Sequence, residues 1–180
     1  VDIGGDTTEV AVISLNGVVT KKAIKVAGDV MDHDIQNYFR NTHRLEIGDR
    51  TAEQIKISVG SAMRSRSKNI LVKGRDLVSG IPKTIDVRSD EIRQALKDSV
   101  KRILEVVKDA LESTPPELSS DIIDRGILVA GGGAQLRGLD QVIREKTNVP
   151  CNVVEEPHLA IVKGCGKIIE DLEKYKHVLI

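Results

Sequence analysis

Two runs of glycine, each placed directly after a short apolar stretch, restrict this chain more than any other feature in it. Val1-Asp2-Ile3 runs into Gly4-Gly5-Asp6-Thr7-Thr8, and Ile127-Leu128-Val129-Ala130 runs into Gly131-Gly132-Gly133. Neither run suits the interior of a helix or strand, so both read as turns. A glycine turn at the C-terminal end of a buried strand is where open α/β sheets hold ligands, because backbone N–H groups there approach an anion with no Cβ in the way. The bland alternative for the first turn is an ordinary hairpin bend. For the second it is close packing of a helix on a strand, and residue chemistry by itself leaves both alternatives open.

The pattern between the turns is mixed α and β. Glu9 to Leu15 and Val18 to Val26 read as strands joined by the hairpin signal Asn16-Gly17. Asp29 is placed to cap a helix carrying Met31, Ile35 and Tyr38 or Phe39, and Thr51 with Gln54 forms a capping box for a helix carrying Ile55 and Val59. Ile70 to Val72 and Leu77 to Val87 read as short strands broken by Gly74, Gly80 and Pro82. Ser89 opens the longest helix, whose stripe Ile92, Leu96, Val100, Ile103, Val107 and Leu111 is a core face and which Pro115-Pro116 stops. A short polar linker follows it. After Ile127 to Ala130 come a helix around Leu139 to Lys146, a strand at Cys151 to Val154 and a last helix from near Pro157.

Composition removes several classes of function. With 180 residues, 40% hydrophobic and 30% charged, the chain has globular composition. Lys plus Arg and Asp plus Glu both number 27, and aromatics are 2% with no Trp, so neither phosphate-driven nor base-stacking nucleic-acid binding is expected. Near-neutral charge is a weak pointer to self-association. Cys151 and Cys165 fit no metal or disulfide framework and read as core or half-buried residues of a reduced, cytoplasmic protein. His33, His43, His158 and His177 lack ligand spacing and read as surface or loop residues, and Arg64, Arg66, Lys68, Lys73 and Arg75 as a solvated loop and strand edge. No apolar run reaches a membrane span, and the chain opens at Val1 inside an apolar stretch, as a piece of a longer protein would.

The residues suited to chemistry gather at the turns. Gly4 and Gly5 allow close approach, Asp6 adds a carboxylate, and Thr7 and Thr8 offer hydroxyls and amides to phosphate oxygens. Asp2 is placed to hold Mg²⁺ through water, since that cation keeps most of its hydration shell and takes few carboxylates. Gly131-Gly132-Gly133-Ala134 lacks both the Lys-Ser/Thr ending of a P-loop and the spacing of a dinucleotide fingerprint, yet leaves bare backbone for a flat ligand such as a purine. Glu53 and Lys56, at i and i+3, share a helix face, where the ordinary reading is an exposed ion pair.

Asp2-Ile3-Gly4-Gly5-Asp6-Thr7-Thr8-Glu9-Val10 resembles the second phosphate loop of the actin-like ATPases, and Gly131-Gly132-Gly133-Ala134 resembles their adenosine motif. Within that superfamily, which includes heat-shock chaperones and sugar kinases, the chain resembles the MreB family of bacterial rod-shape-determining actin homologues. The resemblance rests on Glu53-Gln54-Ile55-Lys56, Gly80-Ile81-Pro82-Lys83-Thr84, Thr114-Pro115-Pro116-Glu117-Leu118 and Asp124-Arg125-Gly126, in family order and almost end to end.

The resemblance implies an α/β fold: the C-terminal half of an actin-like (ribonuclease H-like) molecule, with residues 1–26 and 93–180 as the inner subdomain and 27–92 as a small inserted α+β subdomain. It implies ATP with Mg²⁺, with Gly5, Asp6 and Thr7 at the phosphates, Glu53 and Lys56 near the ribose and adenine edge, and Gly132, Gly133, Ala134 and Gln135 around the adenosine, while Gly4, Thr8, Gln54, Ile55 and Gly131 complete the expected nucleotide-binding set. The family implies a cytoplasmic subunit beneath the bacterial inner membrane that self-associates into filaments and guides peptidoglycan synthesis with the cell-wall elongation machinery. Membrane contact, the first phosphate loop and the catalytic acid would belong to the N-terminal half, so hydrolysis by this chain alone is expected to be weak or absent. The competing expectation is another actin-like ATPase, a chaperone or a sugar-kinase-type phosphotransferase. Asp6 departs from the family, which usually has glycine there; a carboxylate beside phosphates repels them, and the place could demand a positive φ.

Overall fold

The computed structural model describes residues 1–15, 17–64, 66 and 68–176. Asn16 of the expected hairpin signal and His177 lie outside the described residues. In chain order the elements are β1 (Asp2–Ile3), β2 (Thr8–Ser14), β3 (Gly17–Ile24), α1 (Gly28–Tyr38), a π-helical turn (Phe39–His43), β4 (Leu45–Glu46) and α2 (Asp49–Val59). Then follow β5 (Asn69–Asp76), β6 (Pro82–Arg88), α3 (Ser89–Ala95), α4 (Lys97–Glu112) and α5 (Pro116–Arg125). The last stretch holds β7 (Ile127–Val129), a 3-10 turn (Gly132–Gln135), α6 (Leu139–Thr147), β8 (Cys151–Val153), a 3-10 turn (Pro157–Leu159), α7 (Ala160–Glu170) and α8 (Leu172–Tyr175).

Two sheets organise these elements. In the first, β1 and β3 flank β2 antiparallel, while β7 and β8 pair in parallel. The two groups are joined where the Ile3 N–H donates to the Ala130 carbonyl (2.9 Å) and the Ala130 N–H to the Val1 carbonyl (2.8 Å), a parallel bridge between Asp2 and Ala130. The resulting order is β3-β2-β1-β7-β8, and α4 lays Ile103 and Val107 (0% and 1% exposed) into the core shared with Ile3 and Val10. The second sheet, β4-β5-β6, is antiparallel and shares its core with Met31, Ile35, Ile55 and Ile92 from α1, α2 and α3.

Several local expectations are corrected by the packing. Pro115-Pro116 does not lead into a linker: Pro116 starts α5, because a proline at the first helical position needs no N–H acceptor and already has the helical φ. The long helix bends at Leu96 (φ −80°, ψ −6°) into α3 and α4, although the Leu96 N–H still reaches the Ile92 carbonyl at 3.1 Å and the apolar stripe continues across the bend. Ser89 opens α3 as expected but does not cap it: its hydroxyl oxygen accepts the Lys68 N–H, and the cap comes from Glu91, whose carboxylate accepts the Arg88 N–H. Thr51 is inside α2, since its N–H and that of Ala52 bond to the Gly48 carbonyl ahead of it. Gly74 does not break a strand. A Cβ there would meet the Glu46 carbonyl at 2.4 Å, so glycine is what lets β4 lie against β5, and the break falls instead at 77–81, where Asp76 accepts the Val78 and Ser79 N–H groups. Cys151 is buried but Cys165 is exposed. His43 is half-buried and bonded to Glu91 at 2.8 Å, not a loop residue.

Candidate functional site

The first glycine turn hands the Gly4 and Gly5 carbonyls to α1 and leaves three of its N–H groups free. Gly4 closes the bend by donating to the Thr7 carbonyl at 3.0 Å. Its own carbonyl accepts the Gly28 N–H (3.1 Å), and that of Gly5 accepts the Asp29 N–H (2.8 Å). Among the described residues, the N–H groups of Gly5, Asp6 and Thr7 have no acceptor, and Gly5 and Asp6 are exposed. Three undirected amide donors on one exposed bend form a concavity suited to an anion. Asp6 has no positive φ, so the backbone tolerates an aspartate here without strain. Thr8 differs from Thr7. It is fully buried and its hydroxyl donates to the Val26 carbonyl at 2.6 Å, so that hydroxyl has no proton left for a phosphate.

The second turn divides its glycines by role. At Gly131 (φ +84°) a Cβ would meet the Ile3 carbonyl at 2.2 Å, and at Gly133 it would meet the Ile3 side chain at 2.3 Å. Both glycines are therefore required for the turn to lie on β1. A Cβ at Gly132 would have nothing within 4 Å. Gly132 and Gln135 are the exposed positions of the motif, whereas Ala134 is buried. The Gln135 amide nitrogen lies 3.1 Å from Nδ1 of His158. Because β1 and β7 run parallel and side by side, the two turns leave the sheet from the same end.

α2 is fixed beside both turns. Lys56 does not pair with Glu53: its ammonium donates to the Gly28 carbonyl (2.9 Å) and to Asp32 (2.7 Å), two residues that spacing along the chain gives no reason to connect with it. Burial pushes the Asp32 carboxyl above the usual carboxylate range, against the opposing hydrogen bond from Lys56, and Glu53 and Asp29 add to the rise. Glu53 and Gln54 are exposed, while Ile55 is buried in the core. Beyond α2, the Ala62 N–H bonds to the Arg137 carbonyl (2.8 Å), and the Arg137 guanidinium donates to the Ser58 carbonyl. The end of α2 is thereby anchored to the segment that follows the second turn.

Between the turns, Asp2 supplies a half-buried carboxylate. Its Oδ1 is buried with no hydrogen-bond partner, and a Cβ on Gly131 would approach that oxygen to 2.5 Å. No group of three or more His, Cys, Asp or Glu side chains capable of holding a metal occurs among the described residues. The donor set thus fits a cation that keeps its water and leans on a single carboxylate, not one caged by protein. A separate cavity of about 500 Å³, lined in part by Val12, Val107, Leu111, Ile122 and Leu128, lies at the opposite end of the first sheet and holds none of these residues.

Comparison with known proteins places this geometry. A family model described as MreB/Mbl protein matches residues 1–177. The chain is 49% identical over 175 residues to the cell shape-determining protein Mbl of Bacillus subtilis (strain 168), covering 97% of this chain and 53% of that protein. It is 45% identical over 176 residues to the cell shape-determining protein MreB of Escherichia coli (strain K12), covering 97% and 51%. The chain spans about half the length of the curated relatives it matches. Among solved structures, MreB5 of Spiroplasma citri bound to ADP superposes with a TM-score of 0.93 at 36% identity, covering 98% of this chain and 54% of that one. The MamK double helical filament, at 23% identity, 94% and 53% coverage and a TM-score of 0.78, supports the fold alone.

Proposed function

The chain belongs to the MreB/Mbl family and has an actin-like α/β fold, and from that premise we propose that it is one half of an ATP-binding cytoskeletal subunit. The observation that carries the reading is the Ile3–Ala130 hydrogen bond of 2.9 Å, which sets two glycine turns side by side at one end of the sheet. The Gly5, Asp6 and Thr7 amides bind phosphate oxygens, and Gly132 and Gln135 line the adenosine. Glu53, exposed on α2, faces the ribose, and Asp2 holds Mg²⁺ through water. MreB5 of Spiroplasma citri was crystallised with ADP and with AMPPNP, which supports a nucleotide in the equivalent cleft of this chain.

When bound, the nucleotide supplies charge and contact area that differ between its triphosphate and diphosphate forms, which suits it to switching a subunit between conformations. The residues of this chain bind and orient one side of it; alignment of an attacking water and the opposing phosphate clamp fall to the other half of the subunit. Self-association into filaments, a place beneath the inner membrane, membrane contact through the other half and guidance of wall synthesis complete the proposal. Among the described residues no helix is long and apolar enough to cross a membrane. The family match disfavours a chaperone or sugar-kinase reading.

Titration of the purified chain with a fluorescent ATP analogue, with and without Mg²⁺, tests the proposal. Saturable binding lost in Gly132→Val and weakened without Mg²⁺ is expected; no binding, or binding indifferent to both turns, would overturn it. Multiple-turnover hydrolysis by the chain alone, abolished in Gly5→Val, would overturn the division of labour between halves.

A further inference from the structure

We infer that Asp32 is a positioning residue for the cleft: by holding the Lys56 ammonium against the Gly28 carbonyl, it locks α2 to the first glycine turn. The inference rests on the nucleotide reading above only for what the cleft binds. The Lys56 side chain is 16% exposed, as is that of Asp32, and both hydrogen bonds of its ammonium run back to α1. The same first turn of α1 donates from Gly28 and Asp29 to the carbonyls of Gly4 and Gly5. Turn, α1 and α2 meet at one residue: a Cβ on Gly28 would lie 3.3 Å from the Gly4 oxygen and 3.4 Å from the Lys56 nitrogen.

The energetics indicate a geometric role. One oxygen of Asp32 is buried without a partner, and burial, the largest cause, together with Glu53 and Asp29 holds its carboxyl above the usual carboxylate range against the pull of Lys56. A half-satisfied buried ion pair contributes little to stability compared with an uncharged replacement of both partners, and its value lies in fixing one arrangement. α2 has a second attachment, at Arg137 beyond the second turn. With the Asp32–Lys56 link intact, α2 is pinned at both glycine turns; without it, the helix is pinned at one.

The test is a double-mutant cycle of Asp32→Asn and Lys56→Met in the chain, read by ATP-analogue affinity, by amide exchange and by chemical unfolding. Each single variant is expected to weaken binding about tenfold, and the double variant no more than the weaker single, because both remove one link. Without nucleotide, Asp32→Asn is expected to speed exchange of the Gly28 and Asp29 amides while those of Val72 and Val87 in the second sheet stay protected. Affinity unchanged in Asp32→Asn but reduced in Lys56→Met would make Lys56 a direct contact and overturn the inference, as would additive losses. Should the parent chain bind no nucleotide, the functional proposal falls, and the Gly28 and Asp29 exchange rates decide this one alone: unchanged rates in Asp32→Asn overturn it. Should Asp32→Asn fail to fold, Lys56→Met is read by the same exchange measurement.

Discussion

Gly133 lies so close to Ile3 that a Cβ on it would come within 2.3 Å of the Ile3 methyl carbon, while the neighbouring Gly132 faces open space. Adjacent glycines of one motif therefore serve different purposes. Gly133→Ala is expected to destabilise the fold by about 1–3 kcal/mol through overpacking against β1. Gly132→Ala should leave unfolding nearly unchanged and weaken nucleotide binding only. Urea unfolding and ATP-analogue titration of the two variants separate these outcomes; equal stability would contradict the packing role.

Thr7 and Thr8 make a second such pair. Thr8→Val removes the buried hydroxyl that bonds to the Val26 carbonyl, with an expected loss of about 1–3 kcal/mol because that carbonyl is left without its donor. Thr7→Val, on the half-buried residue of the bend, should reduce nucleotide affinity with little change in stability. A Thr8→Val protein as stable as the parent would show that the hydroxyl is not needed by the fold.

Asp6 occupies ordinary backbone conformation, so nothing in the turn's geometry opposes its replacement. Asp6→Gly removes a negative charge from beside the proposed phosphates and is expected to tighten ATP-analogue binding, with stability changed by less than about 1 kcal/mol. Unchanged or weaker affinity by titration would instead place Asp6 among the groups that hold Mg²⁺.

Asp76 gives the fold an acid-sensitive point away from the cleft. The Lys83 ammonium and the Ser79 and Val78 amides hold its carboxyl well below the usual carboxylate range. A carboxyl depressed in the folded state contributes stability that is complete above its unfolded pKa of about 3.9 and is lost as pH falls toward the folded value. The parent should therefore lose stability more steeply than Asp76→Asn between about pH 4 and pH 2. Parallel unfolding curves for the two proteins over that range would exclude the contribution.

Both glycine turns were legible in the sequence because each combines a local backbone demand with an apolar strand before it. The stripe from Ile92 to Val107 was legible for the same reason: periodicity and burial agree. What was not legible depends on segments distant in the chain. Nothing near Gly74 announces that Glu46 will lie against it, and nothing near Asp32 announces Lys56. The short α5 was hidden because none of its residues is fully buried, so hydrophobic spacing is too weak to show it. Gly131 to Gly133 read as one uniform motif until the position of Ile3 distinguished them.

The hydrogen bond from Ile3 to Ala130 joins residues 127 positions apart, so β1 cannot complete its hydrogen-bonding until Ala130 has been synthesised. Such long-range pairing forms late and slowly, since the loop must close before the contact is gained. The first turn therefore waits, with one side of β1 unpaired, and the cleft comes into being only when the second turn folds against it.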